Sequence, residues 1–218
     1  MSSSASYECS LHGQIPDKLK PKLIERLIGL TGGEDFQSEI YEHEIGFIPT
    51  VETPIGPARN EDVMLKLRAS ISENVDLLKR NWQLCLYGHP EPRTGRNVTV
   101  RPMIYVNMKG DAFKYMSNLG YTFGFEYVRK GHAFVYKDLF RITVTQIFKF
   151  ETPQDLSTLH LLDPTNTWLV EVSSISIIQE AVSKTVEEIN NFKALFTGIV
   201  DLGYVDHLYL LNKVTYRS

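Results

Sequence analysis

From Phe140 to Phe150 the chain alternates: Phe140, Ile142, Val144, Phe148 and Phe150 fall on one face of an extended strand, and Arg141, Thr143, Thr145 and Lys149 on the other. A period of two does not fit a helix, and the same pattern recurs elsewhere. Over Asp62 to Ile71, Val63, Leu65, Leu67, Ala69 and Ile71 oppose Lys66, Arg68 and Ser70, while Tyr41, Ile45 and Phe47 oppose Glu42 and Glu44. Further strands are expected at 7–13, 81–88, 98–107, 122–130, 132–136 and 167–178. So many amphipathic strands in one chain must protect their edges, and closing the sheet on itself removes edges altogether. The expected fold class is α+β, mainly β: an antiparallel closed β-barrel of about eight strands with flanking helices.

Barrels of roughly 200–250 residues commonly stay single, so residues 1–218 are expected to form one β-barrel domain. A chain of this size buries on the order of 70% of its unfolded surface, and a 43% apolar composition can supply the core. Residues 1–6 are expected to be a disordered start with no basic or apolar leader character, and the regions 49–60 and 152–166, marked by prolines, to be long loops. No stretch approaches roughly 18 consecutive apolar residues, so an intracellular, soluble protein is expected.

Three helices punctuate the strands. Leu19, Leu23, Leu27 and Leu30 repeat at helical spacing, with Pro21 in the first turn and Gly29, Gly32 and Gly33 as the stop. Asp111 is a candidate N-cap and Gly120 a C-terminal stop for a short helix burying Phe113, Met116 and Leu119. Val182, Val186, Ile189, Phe192, Phe196 and Ile199 form the apolar stripe of the third. The tail from Asp201 to Ser218 is too apolar for a solvated end and is expected to pack on the domain or on a partner.

Chemistry-bearing motifs are scarce. Gly29 to Gly33 lacks the lysine and hydroxyl of a phosphate loop, and His43-Glu44 begins a zinc-protease motif whose second histidine position is Phe47. Glu42 and Glu44 share a strand face and could form an acid/base pair or hold a metal, but a solvated outer face is the simpler account. His12, His89, His132, His160 and His207 show no ligand spacing. Cys9 and Cys85 lie in strand patterns and are expected to be reduced, buried thiols. Lys18, Lys22 and Arg26 line one side of the first helix, where they could meet phosphates or simply face water. A formal charge of −3, from 23 basic and 26 acidic residues, lacks the footprint of a nucleic-acid binder. No catalytic residue, metal ligand or cofactor site is assigned.

The densest aromatic segment runs Gly120, Tyr121, Phe123, Gly124, Phe125, Glu126, Tyr127, Val128, then Lys130, Gly131, His132 and Phe134. Local chemistry predicts a strand, a tight turn at Lys130-Gly131 and a returning strand. The order Leu119-Gly120-Tyr121, Glu126-Tyr127-Val128, Lys130-Gly131-His132 and Phe134 resembles the family of Mediator of RNA polymerase II transcription subunit 18. Tyr7 to Gly13, Leu19 to Gly32, Tyr41-Glu42-His43-Glu44 with Ile45 and Phe47, Trp82 to Gly88 followed by Arg101 and Pro102, and Arg141 to Phe150 extend the likeness over most of the chain.

That resemblance implies a non-enzymatic subunit of the nuclear Mediator head module, supporting RNA polymerase II transcription by protein–protein binding. It implies a triphosphate-tunnel-like barrel that forms a heterodimer with Mediator subunit 20, is tethered by a C-terminal helix of Mediator subunit 8, and joins the remainder of the head. No small molecule, membrane or direct nucleic-acid partner is expected. The alternative is a metal-dependent triphosphate tunnel phosphatase. Such enzymes carry a Glu-x-Glu-x-Lys pattern, whereas this chain reads Glu8, Ser10, His12 and Glu42, Glu44, Gly46 at alternating positions. Tyr204, Leu208, Tyr209 and Leu211, apolar beyond the last clear helix, are the candidate partner-binding residues.

Overall fold

The computed structural model describes residues 6–50, 52–53, 56–57, 62–72, 75–92, 95–210, 212 and 214. Its strands are β1 (Tyr7–Pro16), β2 (Gln37–Pro49), β3 (Glu52–Thr53), β4 (Gly56–Pro57), β5 (Leu65–Ser70), β6 (Gln83–Tyr87), β7 (Thr99–Asn107), β8 (Tyr121–Tyr136), β9 (Phe140–Phe150), β10 (Leu159–Leu161) and β11 (Thr167–Ser174). Eight of them close on themselves in the order β9-β11-β1-β7-β6-β5-β2-β8, with β8 pairing back to β9 and every pairing antiparallel. β10 extends the sheet by pairing with the far end of β9, and so subdivides the connection expected as one loop over 152–166. β3 and β4 form a separate small ribbon within 49–60.

Helices cover the barrel from outside. α1 (Lys20–Thr31) carries Pro21 in its first turn, runs through Gly29, which is therefore no part of the stop, and ends at Gly32, whose φ of 101° lets its N–H reach back to the Ile28 carbonyl. α2 (Ala112–Asn118) is capped by Asp111, whose carboxylate accepts from the Lys114 N–H. α3 (Val182–Ala194) lies against β1 and β11, and α1 against β8. Leu23 and Leu27 of α1 and Ile189 and Phe192 of α3 pack with Leu11, Phe134, Ile142, Val144, Val170 and Val172 in the main core, which therefore sits between barrel wall and helices. A second core joins Ala112 and Met116 of α2 to Ile45, Phe47, Leu67, Ala69 and Trp82. The apolar strand faces point outward, under the helices.

Two expectations are corrected. There is no turn at Lys130-Gly131: β8 runs unbroken through both for 16 residues. Gly131 is required there because a Cβ would lie 2.1 Å from the Val144 carbonyl oxygen on β9. The hairpin instead turns at Lys137 and Asp138, with φ of 51° and 54°, closed by the Leu139 N–H bonding the Tyr136 carbonyl. Second, Glu42 and Glu44 do not face solvent. Glu44 is 2% exposed, because the polar faces of the strands line the barrel lumen.

A candidate functional site in the barrel lumen

Closure brings together side chains that alternation alone scatters. Arg129 on β8 reaches Glu44 on β2 at 3.5 Å, Glu171 on β11 at 3.2 Å, and donates to Thr143 Oγ1 on β9 at 3.1 Å. β8 and β11 are not neighbours in the sheet, so the Glu171 contact crosses the interior. Arg68 on β5 meets Glu44 at 3.2 Å, and the Tyr127 hydroxyl donates to the other Glu44 oxygen at 2.7 Å. Arg101 donates to Glu8 through two nitrogens, at 3.1 and 3.3 Å. Arg141 reaches Glu42 at 3.4 Å, and His12 Nε2 lies 3.6 Å from Glu171.

The electrostatics follow from this wiring. Burial works to raise the Glu44 carboxyl, but Arg68, Arg129, Lys66 and the Tyr127 hydroxyl outweigh it and hold Glu44 below the usual carboxylate value. Burial likewise opposes ionisation of Glu171, and the His12 hydrogen bond with Arg129 overcomes it, holding that carboxyl well below the ordinary range. Glu8 goes the other way: burial outweighs Arg101 and raises it. Tyr87 is pushed up to about 12, chiefly by burial. Each lumen carboxylate is thus claimed by a guanidinium. No group of three or more His, Cys, Asp or Glu side chains poised to hold a metal ion occurs among the described residues. A divalent cation wants several convergent oxygens with charge to spare, and Glu8, Glu42, Glu44 and Glu171 are already paired.

The other candidates fall elsewhere. His43 is buried on the outer face of β2, with Nε2 2.8 Å from Glu126 Oε2 and Nδ1 2.9 Å from Arg80, between Trp82 and Phe150. It is a structural rivet joining β2, β8 and the segment before β6. Cys9 and Cys85 are free, buried thiols on opposite faces of the wall; burial raises them to about 12 and about 11, so neither is a ready nucleophile. Lys18, Lys22 and Arg26 are exposed, and Arg26 donates to the Leu195 carbonyl, tying α1 to the end of α3.

The tail is strapped to the barrel by its backbone and by the Asn212 side-chain amide. Gly203 exchanges two hydrogen bonds with His12, the Val205 N–H donates to Thr99 Oγ1, and Asn212 donates to the Met64 and Tyr87 carbonyls. Between these anchors Tyr204 is 40% exposed, Leu208 63% and Tyr209 85%. Leu211 lies outside the described residues. Alternation could have flagged Lys66, Arg68, Arg129 and Glu171 as one polar set, but nothing in one sequence says that strands some 40 to 60 residues apart close around them.

Comparison with known proteins gives the same frame. The Mediator of RNA polymerase II transcription subunit 18 of Yarrowia lipolytica is 30% identical over 135 residues, covering 60% of this chain and 57% of that protein. Its namesake in Drosophila melanogaster is 25% identical over 205 residues, covering 93% and 87%. Among solved structures, a chain of the Schizosaccharomyces pombe Mediator head module superposes with a TM-score of 0.76 at 19% identity, covering 91% of this chain and 98% of that one. The Mimivirus capping enzyme triphosphatase shares the fold at a TM-score of 0.52 and 12% identity, over 89% and 90%. The family described as Med18 protein matches residues 7–212, nearly the whole barrel with its helices and tail, and this chain belongs to that family.

Proposed function

We propose that the protein is a non-catalytic subunit of the Mediator complex, a nuclear assembly, and that it supports RNA polymerase II transcription by holding other Mediator subunits. The observation that carries this reading is the pairing of every lumen carboxylate with arginine, in a chain of the Med18 family. A tunnel phosphatase needs carboxylates free to gather a metal ion and a phosphate, and here arginines hold them. The likeness to the viral triphosphatase is one of fold.

The finer assignment is that the barrel pairs with Mediator subunit 20, that a C-terminal helix of Mediator subunit 8 fastens the pair to the rest of the head, and that the tail contributes to this docking. Leu208 and Tyr209 support it: large apolar side chains held out from a backbone that is itself fixed are the kind that dominate an interface. Replacing Leu208 by Asp and Tyr209 by Ser is expected to weaken association with subunits 20 and 8 at least tenfold in a pull-down titration, with folding intact by circular dichroism. Unchanged binding removes the tail from the interface. The complex itself is tested by native co-purification, in which other Mediator subunits are expected to accompany the tagged protein, and by a phosphate-release assay with a triphosphate and magnesium or manganese, expected to stay at background.

A further inference from the structure

The lumen is over-supplied with positive charge. Lys66, Arg68, Arg101, Arg129 and Arg141 stand against Glu8, Glu42, Glu44 and Glu171, five cations to four carboxylates. Lys66 is the one without an ion pair among the described residues; its ammonium sits 5.7 and 5.9 Å from the Tyr87 and Tyr127 rings. Burial lowers its pKa, and Arg68, Arg101 and Arg129 add to that against the pull of Glu44. Negative charge is what the interior lacks.

It also has room. A cavity of about 300 Å³ opens within the barrel, and Arg68, Arg129 and Arg141 line it together with the hydroxyls of Tyr105 and Ser173. Arg68 Nε is buried without an acceptor, and Ser10 Oγ and His12 Nδ1 on β1 are buried without any partner; the carboxylate oxygens Glu42 Oε2 and Glu44 Oε1, which accept no hydrogen bond, belong to groups already ion-paired with Arg141, Arg68 and Arg129. Arg141 spends one of its five donors on Glu42, at a long 3.4 Å. Both carboxylates that line the cavity, Glu8 and Glu171, are engaged by Arg101 and by Arg129 with His12. Water would satisfy stray donors but not the charge. Planar guanidinium forks match tetrahedral oxyanions.

We propose that the barrel lumen is a binding site for a small inorganic oxyanion of the phosphate class, gripped by Arg68, Arg129 and Arg141. The site requires no hydrolysis and no metal, and it departs from the expectation of no small-molecule partner. It stands apart from the Mediator reading, which co-purification tests independently. An occupying anion would tie β5, β8 and β9 together across the interior and stiffen the scaffold to which the tail is strapped.

The test is thermal unfolding of the full chain in 10 mM orthophosphate against chloride at matched ionic strength, with a ³¹P NMR titration of the same sample. For a dissociation constant of about 1 mM, the midpoint rises by roughly 3–6 °C in phosphate. Arg141→Gln, at the mouth of the site, is expected to lose most of that rise. Ser173→Asp places a carboxylate in the cavity; it is expected to raise the midpoint in chloride and to abolish the response to phosphate. The proposal is overturned by a phosphate midpoint no higher than the chloride control, or by a rise that survives in both variants.

Discussion

The two faces of the barrel wall are held by different physics. Outside, strands meet helices across a dry core in which Phe134, Leu27 and Ile189 are fully buried. Inside, the same strands present arginines and glutamates that neutralise one another across the lumen. Apolar packing tolerates a swap of similar volume, whereas a buried ion pair tolerates loss of neither partner alone. The outer face therefore sets how stable the barrel is, and the inner face how strictly its strands must stay in register.

The sharpest way to break this contrast is at Glu44. Glu44→Gln leaves Arg68 and Arg129 facing each other without their shared counter-charge and is expected to cost about 3–5 kcal/mol in urea unfolding; a cost below ~1 kcal/mol would mean that water screens the lumen. On the outer face, Phe134→Ala opens a cavity under α1 and α3 and is expected to cost about 3–4 kcal/mol, whereas Phe134→Leu should recover most of it. No such size-matched rescue is expected at Glu44.

Acid should separate the faces further. Glu44 and Glu171 have folded pKa values held below the ordinary carboxylate value, so the stability they contribute is present above it and is lost as pH falls through their folded values, from about pH 4 downward. Glu8, raised by burial, has the opposite sign: the folded state takes up its proton more readily, which partly offsets the acid loss. Glu8→Gln is therefore expected to be less stable at pH 4 relative to pH 6 than the parent chain is, because it lacks the gain that protonation of Glu8 supplies over that interval, measured by urea midpoints along a pH series. The smallest effect belongs to the tail: Leu208→Ser with Tyr209→Ser is expected to change stability by less than about 0.5 kcal/mol, because both side chains are already in solvent.

The pattern of alternation located nearly every strand of the barrel, because a period of two is a local property of the chain. Caps and stops placed the helices for the same reason: Asp111 and Gly32 act on backbone groups within a turn of themselves. The hairpin at Lys137-Asp138 escaped because, although Asp is a common turn residue, the pair lacks the glycine of the usual two-residue hairpin signature, and Gly131 looked like a turn because a glycine forced by a close backbone approach reads the same as one forced by φ. His43 gave no sign that Glu126 and Arg80 would enclose it.

What the sequence by itself determined is which residues share a face. Which face looks inward was decided by the tertiary structure alone. An alternating strand is the same string of letters whether its polar side meets water or the interior of a barrel, and only closure, with helices supplied to cover the apolar side, turned Glu44, Arg68, Arg129 and Glu171 from apparent surface into a buried, ion-paired set inside the lumen.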